Sequence, residues 1–285
     1  MEPLSESYLR SLIAASLEED LAFGPDVTTL ATISADATSR ARFVSRAEGV
    51  TAGLDVIRYA LDTPGCEVTQ RVDDGERVAP GNVLAEVTAP TRTLLTTERT
   101  MLNILSHASG IATATRRWVD AVEGTGARIR DTRKTLPGLR ELQKYAVRAG
   151  GGVNHRMGLG DAAMIKDNHV AAVSRGVVAA LAAVRAHAPD LPCEVEVDTL
   201  DQLDALLRLS EPPQLVLLDN FSVADTAEAV RRRDQVAPGC ELESSGGLTL
   251  ERARAYAETG VAYLAVGALT HSVSALDIGL DYLGD

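Results

Sequence analysis

Two different periodicities divide the chain. From about residue 127 onward, short runs of β-branched and aliphatic residues alternate with stretches whose apolar positions recur every three or four residues. The runs are ARIRDTRK (127–134), AAMIKD (162–167), CEVEVD (193–198), QLVLLD (214–219), CELESSGG (240–247) and AYLAVGA (262–268). Between them, VSRGVVAALAAVRAHA, TLDQLDALLRLS, SVADTAEAVRRRD and TLERARAYAETG read as amphipathic helices. Successive runs are roughly 20 to 35 residues apart, the length of one βα unit. Six such units predict a parallel sheet with helices outside it, closed or nearly closed into a barrel; a doubly wound open sheet is the main alternative.

The first part of the chain lacks this alternation. It predicts a helix over 5–21, a strand at SRARFVSR, a helix at LDVIRYALD and a hairpin-like stretch, EVTQRVDDGERVAPGNVLAEVTAP, with turns at Asp74-Gly75 and Pro80-Gly81. The hairpin superficially resembles a biotinyl or lipoyl carrier module, but no lysine precedes Lys134, so the attachment residue of such a module is missing. A long helix is predicted over about 93–123. Its apolar stripe, Leu94, Met101, Leu105, Ala108, Ala112, Thr115, Trp118 and Val122, recurs at steps of three, four or seven. Arg99, Asn103 and His107, four apart, form a polar line beside that stripe and suggest a second site or an interface; for His107 a satisfied, partly buried histidine is the plainer reading.

Composition narrows the partners. The chain has 285 residues, 45% hydrophobic and 24% charged, with a net charge of −12. That balance suits a soluble globular protein and disfavours nucleic acid or an anionic membrane as partner. No apolar run reaches the roughly 18 residues a bilayer span requires, and the acidic, amphipathic N-terminus does not read as a secretory signal, so a cytoplasmic location is expected. Cys66, Cys193 and Cys240 are few and widely spaced, which predicts buried free thiols rather than disulfides or a zinc site. The only lysines are Lys134, Lys144 and Lys166. Residues 128–166 hold nine basic groups, Arg128, Arg130, Arg133, Lys134, Arg140, Lys144, Arg148, Arg156 and Lys166, against three acids, Asp131, Glu141 and Asp161. A basic pocket in an acidic protein fits a small polyanionic ligand, with a solvated basic face as the alternative. In barrels of this kind the active face lies at the C-terminal strand ends. Here those ends read Asp131, Arg133 and Lys134; Lys166 and Asp167; Glu196 and Asp198; Asp219 and Asn220; Ser244 to Gly247; and Gly267. Six polar ends in succession predict one converging site.

The string RDTRKTLPGLRELQKYAVRAGGGVNHRMGLGDAAMIKDNH, with ERTMLNILSHASGIAT before it and EVEVDT, LLDN, ESSGG and AVGALTHS after it, closely resembles the quinolinate phosphoribosyltransferase family over nearly the whole chain. The resemblance implies an α/β fold: an open α/β barrel at 113–272 and an N-terminal α/β sandwich domain at 1–112, joined by the C-terminal tail, 273–285. It implies transfer of a phosphoribosyl group from phosphoribosyl pyrophosphate to quinolinate, with decarboxylation to nicotinate mononucleotide and a requirement for magnesium. Carried over motif by motif, the dicarboxylate would meet Arg133, His155 and Arg156, with Arg99 supplied by a neighbouring subunit. Lys134 and Lys166 would face the phosphoribosyl substrate, and Glu196 and Asp219 the ribose hydroxyls and Mg2+. Ser245, Gly246, Gly247, Gly267 and His271 would form the 5′-phosphate pocket. A homodimer with shared active sites, or a hexamer, is implied as well.

The residue types agree with that chemistry. Guanidinium forks bind carboxylates bidentately. Carboxylates suit a hard cation, and glycine turns expose N–H groups to phosphate. Three other readings stay open here: a Schiff-base aldolase acting through Lys166, a phosphoribosyltransferase for nicotinate or another aromatic acid, and a noncatalytic sensor of a phosphorylated anion.

Overall fold

The computed structural model describes residues 1–173 and 176–284; Ser174 and Arg175, inside the helix expected over 173–188, lie outside the described residues. The chain begins with α1 (Glu6–Leu21), whose N-cap Ser5 accepts a hydrogen bond from the Tyr8 amide, and α2 (Val27–Thr32), capped in the same way by Asp26. Then come β1 (Thr38–Ser45), β2 (Gly49–Val50), α3 (Asp55–Ala60), β3 (Glu67–Gln70), β4 (Arg77–Val78), β5 (Val83–Pro90) and α4 (Thr91–Ala121). The alternating part comprises β6 (Arg128–Arg130), α5 (Arg140–Ala149), β7 (Ala163–Ile165), α6 (Asp167–Val173), α7 (Gly176–His187), β8 (Cys193–Val197), α8 (Leu200–Leu207), β9 (Leu215–Asp219), α9 (Val223–Val236), β10 (Glu241–Ser245), α10 (Leu250–Ala257), β11 (Tyr263–Ala265), α11 (Ala268–His271) and β12 (Ile278–Gly284). No helix among the described residues is long and apolar enough to cross a membrane.

The chain forms two compact units. One holds Met1–Arg116, Leu136–Gly151 and Leu269–Asp285; the other holds Arg117–Thr135 and Gly152–Ala268. In the first, an antiparallel sheet runs in the order β12-β1-β5-β3, with Phe43 opposite both Leu280 and Ala85. Alternate residues Ala41, Phe43, Ala85, Val87 and Ala89 are buried, while Arg42 and Glu86 pair at 2.7 Å on the other face. Every member of the predicted α4 stripe is buried, and Arg99 and Asn103 are exposed. His107 is half-buried and hydrogen-bonded to Gln143 at 2.8 Å, and burial holds its imidazole below the usual pKa. Helix α5 falls in this unit, whereas the boundary expected at 112 would have assigned it to the barrel.

The second unit is built on a six-stranded parallel sheet in the order β6-β11-β10-β9-β8-β7. Strands β7 to β11 neighbour one another in chain order, without the reversal of a doubly wound sheet, and β6 closes onto β11. Strands β6 and β7 do not pair, so the barrel is open; beside β6, Val153 forms a single parallel bridge with Arg130. Register sorts the side chains into two sets. Ile165, Val195, Val216 and Leu242 stand side by side, as do Ile129, Val197, Leu218, Ser244 and Leu264, and all of them are buried. The opposite set carries the charge: Arg130, Glu194, Glu196, Asp219, Glu243 and Ser245. The three cysteines are free as expected, but only Cys240 is buried; Cys66 and Cys193 are partly exposed.

Candidate active site

The charged face of the barrel lines a cavity of about 420 Å3 bounded by Thr132, Arg133, Lys134, His155, Arg156, Met164, Lys166, Glu196, Leu217, Asp219, Glu243, Ser245 and Ala265. These residues come from the ends of β6 to β11 and from the segment between α5 and β7. Eight of the thirteen expected site residues therefore meet here: Arg133, Lys134, His155, Arg156, Lys166, Glu196, Asp219 and Ser245. Gly246, Gly247 and Gly267 follow β10 and β11 in the same unit without lining the cavity. Arg99 and His271 belong to the other unit: Arg99 is exposed on α4, and exposed His271, at the end of α11, hydrogen-bonds to the Ser272 hydroxyl through Nδ1 at 2.7 Å. The basic cluster read from 128–166 also divides. Arg140, Lys144 and Arg148 lie on α5 in the first unit, with Lys144 fully buried, and only Arg133, Lys134, Arg156 and Lys166 face the cavity.

One side of the cavity is cationic. Asp131, fully buried just past β6, accepts from the His155 backbone N–H at 2.7 Å and from Asn154 Nδ2 at 2.6 Å, which ties the segment carrying Arg156 to the segment after β6 that carries Arg133. Arg156 donates to the Ala162 carbonyl at 2.8 Å. The Nε atoms of Arg133 and Arg156 are both buried and have no hydrogen-bond partner. Burial, and then the repulsion of Arg133, lower the pKa of the Arg156 guanidinium. Two guanidinium groups with buried, unused donors are an arrangement that an anion would stabilise.

The other side is acidic. Lys166 Nζ donates to Glu196 Oε2 at 2.8 Å. Burial, together with the Glu196 and Asp198 charges, raises the Asp219 carboxyl above its ordinary range. These carboxylates stand on neighbouring strands, and their mutual repulsion is what a divalent cation relieves, so Glu196 and Asp219 fit a hard metal such as Mg2+.

Beneath both sides lies a network that the sequence reading did not pick out. Arg130 pairs with Glu243 at 2.7 Å; His155 Nε2 lies 2.6 Å from Glu194 Oε2 and 3.8 Å from Glu243 Oε1. Glu194, Glu243 and His155 are all buried, and burial pushes both carboxyls up to about 7. Nδ1 of His155 accepts the Arg156 backbone N–H at 2.7 Å, so the ring proton sits on Nε2 and is donated to Glu194. The three groups could hold a metal by spacing alone, but this tautomer leaves no lone pair on Nε2. The resemblance implied that His155 touches the dicarboxylate; the geometry commits its ring nitrogens to Glu194 and to the chain at Arg156. The sequence signal for the network is alternation: R-I-R, E-V-E-V and E-L-E-S-S place charges on every second residue of strands that a barrel would otherwise keep apolar.

Comparison with known proteins shows the family of the chain. The family model described as quinolinate phosphoribosyl transferase, C-terminal domain, matches residues 111–281, and that described as the N-terminal domain matches residues 26–109. A nicotinate-nucleotide pyrophosphorylase [carboxylating] of Mycobacterium leprae (strain TN) is 62% identical over 276 residues, covering 95% of this chain and 96% of that protein. A probable enzyme of the same name from Bacillus subtilis (strain 168) is 39% identical over 281 residues, covering 98% and 94%. Among solved structures, the nicotinate-nucleotide pyrophosphorylase from Francisella tularensis superposes with a TM-score of 0.89 at 34% identity, covering 98% of both chains.

Proposed function

Given that the chain belongs to the quinolinate phosphoribosyltransferase family, we propose how the side chains around its barrel cavity carry out the reaction. The protein is a decarboxylating pentosyltransferase: it joins quinolinate to the phosphoribosyl group of phosphoribosyl pyrophosphate, forming nicotinate mononucleotide, pyrophosphate and carbon dioxide in de novo NAD biosynthesis. The observation that carries the assignment of roles is the pair of buried, unused Nε donors on Arg133 and Arg156. They take the two ring carboxylates, and His155 supports them by fixing the chain at Arg156. Lys134 and Lys166 meet the anionic phosphoribosyl substrate. Glu196 and Asp219 face the ribose, where they stabilise positive charge developing as its bond to pyrophosphate loosens, and the same carboxylates would hold Mg2+, which would supply charge neutralisation for the leaving pyrophosphate.

The backbone at Ser245, Gly246, Gly247 and Gly267 receives the 5′-phosphate. Once the ring nitrogen carries ribose it is cationic, and loss of the adjacent carboxylate leaves a carbanion stabilised beside it. The protein's contribution there is positioning and electrostatics. We assign Arg99, exposed on α4, to the site of a second copy in a homodimer. Incubation with quinolinate, phosphoribosyl pyrophosphate and magnesium, followed by mass identification of the nucleotide, should yield nicotinate mononucleotide, and chelation by EDTA should stop it. Formation of the same product from nicotinate at an equal rate, or undiminished turnover after chelation, would refute the assignment.

A further inference from the structure

Asn220 is the one non-glycine residue with a left-handed backbone among the described residues, at φ +57°. Asparagine tolerates this region better than most residues because its short amide can bond locally, and here it does. Its Nδ2 donates to Asp219 Oδ2 at 2.6 Å, and its backbone N–H donates to the Ser245 carbonyl at 2.9 Å. The second bond extends the β9–β10 ladder past its last register pair, Asp219 with Ser245. Across the turn, Gly246 has φ +84°, and a Cβ there would lie 2.2 Å from Asn220 Oδ1, 2.6 Å from its Cγ and 2.9 Å from its backbone N. The Asn220 side chain thus occupies the space that the glycine leaves, and the two strand ends interlock.

We propose that Asn220 is a positioning residue for the phosphoribosyl substrate. Through Nδ2 it orients the Asp219 carboxylate, which stands against the like charges of Glu196 and Asp198; through its backbone and amide it clamps the Ser245–Gly247 turn. The group that faces the ribose and the turn that takes the 5′-phosphate are then held as one rigid piece, spaced for the two ends of a single phosphoribosyl unit. This rests on the roles assigned above to Asp219 and Ser245–Gly247.

The test uses two variants that keep the left-handed backbone accessible. Asn220→Gly removes the amide, and Asn220→Asp keeps its shape but replaces the donor with a like charge beside Asp219. Melting temperatures establish that both are folded. Each should raise the KM for phosphoribosyl pyrophosphate about tenfold, the order of one hydrogen bond to a charged group, and weaken its calorimetric Kd in magnesium buffer in parallel, with the KM for quinolinate within twofold of the native value. Equal rises for the two substrates, native values in both variants, or a native value in Asn220→Asp alone would overturn the proposal. Asp219→Asn is the control: if it leaves the KM for phosphoribosyl pyrophosphate unchanged, the role assigned to Asp219 falls, and if it raises that KM while Asn220→Gly does not, the inference about Asn220 falls alone.

Discussion

Replacing Glu243 with glutamine should flatten the dependence of stability on pH. Glu243 is fully buried, and burial, with the Glu194 charge adding to it, pushes its carboxyl from the ordinary 4.5 up to about 7 against the opposing pull of Arg130 and His155. Between those two values the folded protein keeps a proton that the unfolded chain has released, so stability is complete below about pH 4.5 and is lost as pH rises through 7. A difference of about 2.5 units at ~1.36 kcal/mol each gives about 3 kcal/mol for the proton shared by the Glu194–Glu243 pair. His107 works in the opposite direction, since its lowered pKa costs stability on acidification, but it is common to both proteins and cancels in the comparison. Urea titrations at half-unit steps from pH 5 to 8 supply the measurement. The native protein should lose on the order of 3 kcal/mol relative to Glu243→Gln across that range. At pH 5, where both side chains are neutral, the glutamine should be nearly silent. Parallel curves for the two proteins would mean that Glu243 is ionised throughout, held by Arg130 alone, and the account of the buried network would fail.

Two further outcomes test the assigned roles. Arg133→Ala removes one guanidinium fork from the cationic wall and should weaken quinolinate binding about 30-fold, or ~2 kcal/mol, while phosphoribosyl pyrophosphate loses far less; equal losses by calorimetry would contradict the division of the cavity. If Arg99 serves a second copy, mixing Arg99→Ala chains with Arg156→Ala chains should recover part of the activity through hybrid dimers, and no recovery after verified subunit exchange would exclude shared sites.

The barrel could be read from the chain because every βα unit repeats the same change of period, and β7 to β11 neighbour one another in chain order. Where α5 would fold was less visible. Arg140, Lys144 and Arg148 continue the basic run by spacing, but their helix buries Leu142, Tyr145 and Val147 within the first unit, a choice made by tertiary packing rather than by local pattern. The motif identified His155 but not its partners, because a ring's tautomer depends on Glu194, distant in the chain, and on the Arg156 amide. Asn220 is similar: nothing in LLDN marks a left-handed residue, and the conformation follows from the hydrogen bond to Ser245, which forms only once β9 and β10 are paired.

Lys166 shows how the assembled site narrows the chemistry that the sequence left open. An imine-forming lysine must present a neutral amine to a carbonyl. Here Nζ donates to Glu196 Oε2 at 2.8 Å, in a cavity that also holds Asp219 and Glu243. That hydrogen bond commits the Lys166 nitrogen to a carboxylate oxygen rather than to the attack on a carbonyl that imine formation requires. An ammonium paired with a carboxylate at a cavity wall is suited instead to changing partners when a more highly charged anion arrives, and a pyrophosphate ester is such an anion. Glu196, relieved of Lys166, would then be available to a cation or to ribose hydroxyls. Under the roles proposed for Lys166 and Glu196, this one ion pair would connect arrival of the phosphoribosyl substrate to exposure of the Glu196 carboxylate.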